Sequence, residues 1–108
     1  MARSNYIFPY SMNFSEAEKV VNTLLQENGF FATILQTGEQ VWKKGTGVMT
    51  AMQFIKVAYE QNRIIISAWV QIGLGSVGAG EMDLNGLAAI IPKASLKGVI
   101  KKIEMAVQ

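Results

Sequence analysis

The stretch QFIKVAYE-QN-RIIISAWVQ, residues 53–71, decides the fold. It holds two runs of β-branched, aromatic and aliphatic residues joined by Gln61-Asn62. Such a pattern predicts a β-hairpin with a two-residue turn. That turn fixes the register. Glu60 then opposes Arg63, Ala58 opposes Ile65, Lys56 opposes Ser67 and Phe54 opposes Trp69. The other face pairs Tyr59 with Ile64, Val57 with Ile66 and Ile55 with Ala68. The second set is the more apolar and is expected to face the core. Because side chains alternate, a slip of one residue would exchange the two faces.

Working outward, Asn5 to Ser11 reads as a first strand, and Pro9 suggests a sheet edge because it cannot donate to a ladder. Ser15 with Glu18 three residues on forms a capping box. Ala17, Val20, Val21, Leu24 and Leu25 then recur at helical spacing up to the stop Asn28-Gly29, which predicts a helix from Ser15 to Asn28. Phe30 to Thr37 reads as a strand. Gly38-Glu39 is expected to turn it back into Gln40 to Lys44, which Gly45-Thr46-Gly47 ends. Trp42 reads as a core residue with Leu35 and Phe31 as partners. After the decisive hairpin, Gly73 to Gly80 has four glycines in eight residues and is expected to be irregular. Leu84 to Ile91 fits either a short strand or a helical turn. Leu96, Val99, Ile100, Ile103 and Val107 form the apolar stripe of a last helix, which begins between Pro92 and Leu96.

The order is β-α-β-β-β-β-α. Consecutive strands with short turns imply an α+β fold with one antiparallel sheet and both one-sided helices on a single face. At 108 residues, with no composition shift, residues 1–108 read as one domain.

Composition narrows the chemistry. The chain has no histidine and no cysteine, so it lacks an imidazole base, a thiolate nucleophile and the usual zinc or haem ligands. No serine–histidine triad can form, and no cofactor is expected. The absence of cysteine fits a reducing, cytoplasmic location. Ile64 to Gly80 is the longest stretch without a charge, but it is interrupted by glycine and polar residues, and no membrane span is expected. Gly73-Leu74-Gly75-Ser76-Val77-Gly78 matches G-x-G-x-x-G, yet the strands before it read as antiparallel and no acid follows at the dinucleotide-fold spacing. Glu81 and Asp83 are a close acidic pair without other ligands nearby, and read as a surface loop.

Two surfaces remain as candidates. The first is the sheet face turned away from the helices, with Phe54, Lys56, Ile65 and Trp69. Burying a large apolar side chain is worth about 1.5–3 kcal/mol, so an uncovered set of this kind marks a contact surface. Unless the segment from Gly73 to Ile91 folds back over it, self-association as a homodimer or higher oligomer is the expected role. The second is a lysine stripe on the last helix, Lys93, Lys97 and Lys101 with Lys102 beside it, which offers contacts to phosphate. Lys43 and Lys44 beside Trp42 would add a basic, aromatic spot, making nucleic acid the alternative partner. A small apolar ligand held between sheet and last helix is a third possibility.

Several stretches resemble an uncharacterised family of small bacterial proteins. They are Gly38-Glu39-Gln40-Val41-Trp42-Lys43-Lys44-Gly45, Phe54-Ile55-Lys56-Val57, Ala68-Trp69, Gly80-Glu81-Met82 and Ile91-Pro92-Lys93. The resemblance implies a module that can be joined to other segments, sometimes a zinc ribbon, and brings no catalytic residues. The order of elements is also similar to one half of the TATA-binding-protein-like fold, whose open sheet face can meet a partner. Together these readings imply a soluble, non-enzymatic module that works by binding or self-association.

Overall fold

A computed structural model describes residues 3–45, 52–71, 81–82 and 90–108. The elements run β1 (Ser4–Pro9), α1 (Phe14–Glu27), β2 (Phe31–Ile34), β3 (Gln40–Lys44), β4 (Met52–Glu60), β5 (Arg63–Gln71), β6 (Glu81–Met82) and α2 (Ile90–Val107). The fold is α+β with an antiparallel sheet in the order β1-β5-β4-β3-β2. The two-residue β6, which the sequence pattern did not reveal, pairs with the end of β5 beyond β1.

The hairpin of β4 and β5 has the register its turn demands. Glu60 pairs with Arg63, Phe54 with Trp69 and Ile55 with Ala68. Asn62 takes a left-handed φ of 66°, which asparagine tolerates better than most residues. The odd positions of β4 and even positions of β5 therefore share one face. Ile55, Ile64, Ile66, Ala68 and Val70 on that face are buried against Val21 and Leu25 of α1 and Leu96, Ile100, Ile103 and Val107 of α2. Both helices thus lie on one side. β1 forms an edge of the sheet and carries Pro9, as a residue without an N–H requires.

Three local expectations change. α1 begins one position before Ser15, because Asn13 is its N-cap: the Asn13 side chain accepts from the Glu16 N–H at 2.9 Å and donates to the Glu16 carboxylate at 3.0 Å. The box is Asn13–Glu16, not Ser15–Glu18. The β2–β3 connection is not a two-residue Gly38-Glu39 turn. Gly38 N–H donates to Leu35 O and Leu35 N–H donates to Glu39 O, each at 2.9 Å. Gly38, at φ +89°, is the left-handed residue of a glycine bulge that follows a tight turn. Lastly, α2 starts at Ile90, ahead of the predicted window, so Ile90 and Ile91 are helical and Pro92 still falls in the first turn. The glycine-rich segment Gly73–Gly80, Asp83 and residues 84–89 lie outside the described residues.

The core should behave as this packing requires. Ile66→Ala and Ile103→Ala, both at fully buried positions, are expected to cost about 2–5 kcal/mol in urea unfolding. Ile34→Ala, at an exposed position, should fall within about 0.5 kcal/mol of the parent. Equal losses at all three sites would contradict the assignment of the buried face.

Candidate functional site

Phe54, Lys56, Ile65 and Trp69 lie together on the sheet face opposite the helices, as the hairpin register demands. They do not form an open patch. Phe54 is 4% exposed and Trp69 1%. Their rings stack with centroids 5.2 Å apart and planes 12° from parallel. Val41 and Met52 complete a small second core with them, and Leu35 packs against it. The Arg3 guanidinium lies 3.8 Å from the Trp69 ring centroid, in cation–π contact. It also makes a bidentate pair with Glu39, at 2.8 and 3.0 Å. Lys56 donates to the same carboxylate at 2.9 Å.

The physical reason is spatial. Ser4 pairs with Ala68, so Arg3 falls beside Trp69 on the open face. Glu39 projects from the start of β3, three strands away, on the same face. Flat strands that far apart would be separated by roughly 14 Å. The Arg3 and Glu39 side chains span that distance across the face and roof the indole. The expectation of an accessible aromatic surface is therefore corrected: these rings are held inside by their own chain. Sequence reading missed Arg3 and Glu39 because they are 36 positions apart and meet only across the folded sheet. Of the four candidates on this face, Lys56 and Ile65 stay partly exposed, beside the exposed Ile7.

The lysine stripe is also altered. Lys93 is 3% exposed. It stands three residues before Leu96 and seven before Ile100, in line with the buried side of α2. It is not a surface phosphate contact. Lys97, Lys101 and Lys102 are exposed. Lys101 pairs with Glu104 at 3.3 Å and Lys102 donates to the Asn28 side chain at 3.4 Å. Lys43 faces the open side next to Phe54 in the ladder, whereas Lys44 reaches over the Phe30 ring at 5.9 Å. Lys43 is thus on the opposite face from Trp42, while Lys44 shares the Trp42 face.

Trp42 shares a face with Ala32 and Ile55, its register partners, and not with Leu35 or Phe31. It is half-buried against the main core. Beside it the structure opens a groove of about 490 Å³ between α1 and the β2–β3 end of the sheet. Ala32, Ile34, Trp42, Val57 and Tyr59 line its apolar side, with Glu18 and Asn22 from α1. Such a volume suits a small ligand. The space between sheet and last helix, where the sequence placed a ligand, is instead filled by Leu96, Ile100, Ile103 and Val107. The β2 strand that borders the groove is the outer strand of the sheet, with Phe31 53% exposed and Ile34 65% exposed on opposite faces. Their alternation was visible in the sequence, but not that neither helix reaches them.

Two titratable groups are displaced. The Glu39 carboxyl is held well below the usual carboxylate range, first by its hydrogen bonds from Arg3, then by those from Lys56 and Thr37. Tyr59 is pushed up to about 12, mainly by burial and further by Glu18 and Tyr10. Its hydroxyl is buried with no hydrogen-bond partner among the described residues, and its ring meets Phe14 and Tyr10 edge-on.

Among the described residues no group of three or more acidic, histidine or cysteine side chains is placed to hold a metal ion. No described helix is long and apolar enough to cross a membrane. The architecture is an α+β sandwich of two helices on an antiparallel sheet. The chain matches no protein-family model, no curated protein and no solved structure.

Glu39→Gln should lower stability most at neutral pH. The carboxylate is stabilised in the folded state, so its contribution is present above the ordinary carboxylate range and fades as pH falls towards the depressed folded value. Because the pair is partly solvated, added salt should narrow the gap. Denaturant midpoints of parent and variant that stay equally far apart from pH 7 to strongly acid solution would contradict this role. Tyr59→Phe is expected to match or exceed the parent by about 1 kcal/mol, since it removes an unpaired buried hydroxyl. The parent should lose stability between roughly pH 10 and 12, where the unfolded tyrosine ionises first, and the variant should lose less. A loss of several kcal/mol in Tyr59→Phe at neutral pH would instead require a hydrogen bond to the hydroxyl.

Proposed function

We propose that the protein is a non-enzymatic binding module whose contact surface is the β2–β3 end of its sheet. One observation carries this reading: Ala32 and Ile34 stay exposed beside the half-buried Trp42, in an apolar groove that α1 borders without covering. Exposed apolar surface next to an uncovered strand edge is a common signature of a contact site. The aromatic pair on the other face supports this indirectly. Phe54 and Trp69 are stacked and buried, with Arg3 over the indole, so they hold the sheet in shape. The strongest displaced carboxylate is likewise engaged in ion pairs. The likeness of the element order to half of a TATA-binding-protein-like fold agrees with a role in which sheet surface meets a partner.

The fluorescent apolar probe anilinonaphthalene sulfonate tests the surface directly. It should bind the folded parent, and Ile34→Glu or Ala32→Glu should weaken binding at least several-fold without shifting the unfolding midpoint, because both side chains are exposed. Ile7→Glu, on the opposite face, should leave binding unchanged. Unchanged binding in the two groove variants would remove the reading.

A further inference from the structure

Resting on that contact surface, we infer that its partner is a second copy of this chain, joined edge to edge through β2 about a two-fold axis at Thr33. The two borders of the sheet are unlike. On β1, Pro9 interrupts the edge, a usual protection against pairing with another chain. On β2, Phe31-Ala32-Thr33-Ile34-Leu35 carries no charge and no proline, and Phe31, Thr33 and Ile34 within it favour strands. Phe31 and Ile34 are more than half exposed there.

The hydrogen-bond pattern selects the register. Leu35 N–H donates to Glu39 O, so Leu35, Thr33 and Phe31 turn their backbone groups towards β3. Ala32 and Ile34 therefore turn theirs outwards. A two-fold axis perpendicular to the sheet must pair residues of one face, so the paired positions share parity. Centred on Thr33, Ala32 of one copy meets Ile34 of the other, twice over. Each meeting exchanges two backbone bonds, four in all. Thr33 meets its own copy as the pair without backbone bonds, and threonine opposite threonine is favourable. Phe31 meets Leu35, next to the Phe54–Trp69 core. Centring on Ala32 would instead enlist Phe30, whose N–H already bonds to Leu25 O. No like charges face each other in the chosen register, and the two grooves open side by side along the seam.

The area sets the strength. Phe31 and Ile34 expose on the order of 200 Å² per copy, well below the roughly 1,200 Å² total of a tight complex. The dimer is of the weak, reversible class, populated as protein concentration rises.

The cysteine-free chain permits a clean test. In the paired register the two Thr33 Cα atoms lie about 4.5 Å apart, within disulfide reach. Oxidised Thr33→Cys should cross-link at least ten-fold faster than Lys97→Cys on exposed α2 surface. Adding Phe31→Glu, which lies outside the groove, or Ala32→Pro, which removes an outward N–H, should suppress the cross-link. Light scattering of the unaltered chain should show mass rising with concentration, and Phe31→Glu should stay monomeric. Cross-linking no faster than the control, or undiminished by Phe31→Glu, overturns the inference. If the apolar probe still needs Ile34 while Thr33→Cys does not cross-link, the contact surface stands and the second copy falls. Loss of both removes the surface itself.

Discussion

The pairing of β4 with β5 governs the rest of the molecule. Its two-residue turn sets which side chains share a face, and period-two alternation carries that choice along nine residues of each strand. With Glu60 opposite Arg63, the isoleucines at 64 and 66 and Ile55 point towards the helices. A slip of β5 by one would turn Trp69 under α1 and α2, part it from Phe54 and leave Ile64 and Ile66 in water. At about 1.5–3 kcal/mol for each large side chain, that alternative cannot compete with a total stability of only about 5–15 kcal/mol.

The helix-free face shows how a one-sided sheet avoids exposing its aromatic residues. Two rings stack on one another, and a long cation lies over the indole. The guanidinium shields apolar surface with its planar body while its donors meet a carboxylate. Glu39 accepts from Arg3, Lys56 and Thr37 together, so one acid from the β2–β3 connection is tied to β4 and to the residue preceding β1. Three parts of the chain meet there, which turns a solvated sheet surface into a second, smaller core.

The opposite end of the sheet has no such cover. The main core takes α2 and the Val21–Leu25 side of α1, and this leaves the helix-side face of β2 and β3 as the floor of a groove. The five-stranded order is wider than two adjacent helices can span. Apolar residues at that end therefore stay at the surface, beside backbone groups that no described neighbour pairs. This mismatch of width, and not any catalytic cluster, is what distinguishes one end of the molecule from the other.

The sequence alone determined the parts governed by local chemistry: the turn at Gln61-Asn62, the register that follows from it, the apolar stripes of both helices, the stop at Asn28-Gly29 and the edge position signalled by Pro9. Each depends on residues a few places apart, whose spacing is set by backbone geometry. The Asn13 cap was equally local, but Ser15 and Glu18 offered the same pattern two residues later. Tertiary structure decided what covers what. Arg3 and Glu39 meet across three strands, Lys93 falls in line with the buried side of α2, and Ile34 is left beyond the helices. Spacing along the chain carries no record of these distances, because exposure depends on which distant element comes to lie over a residue, and that is settled only when the whole sheet has formed.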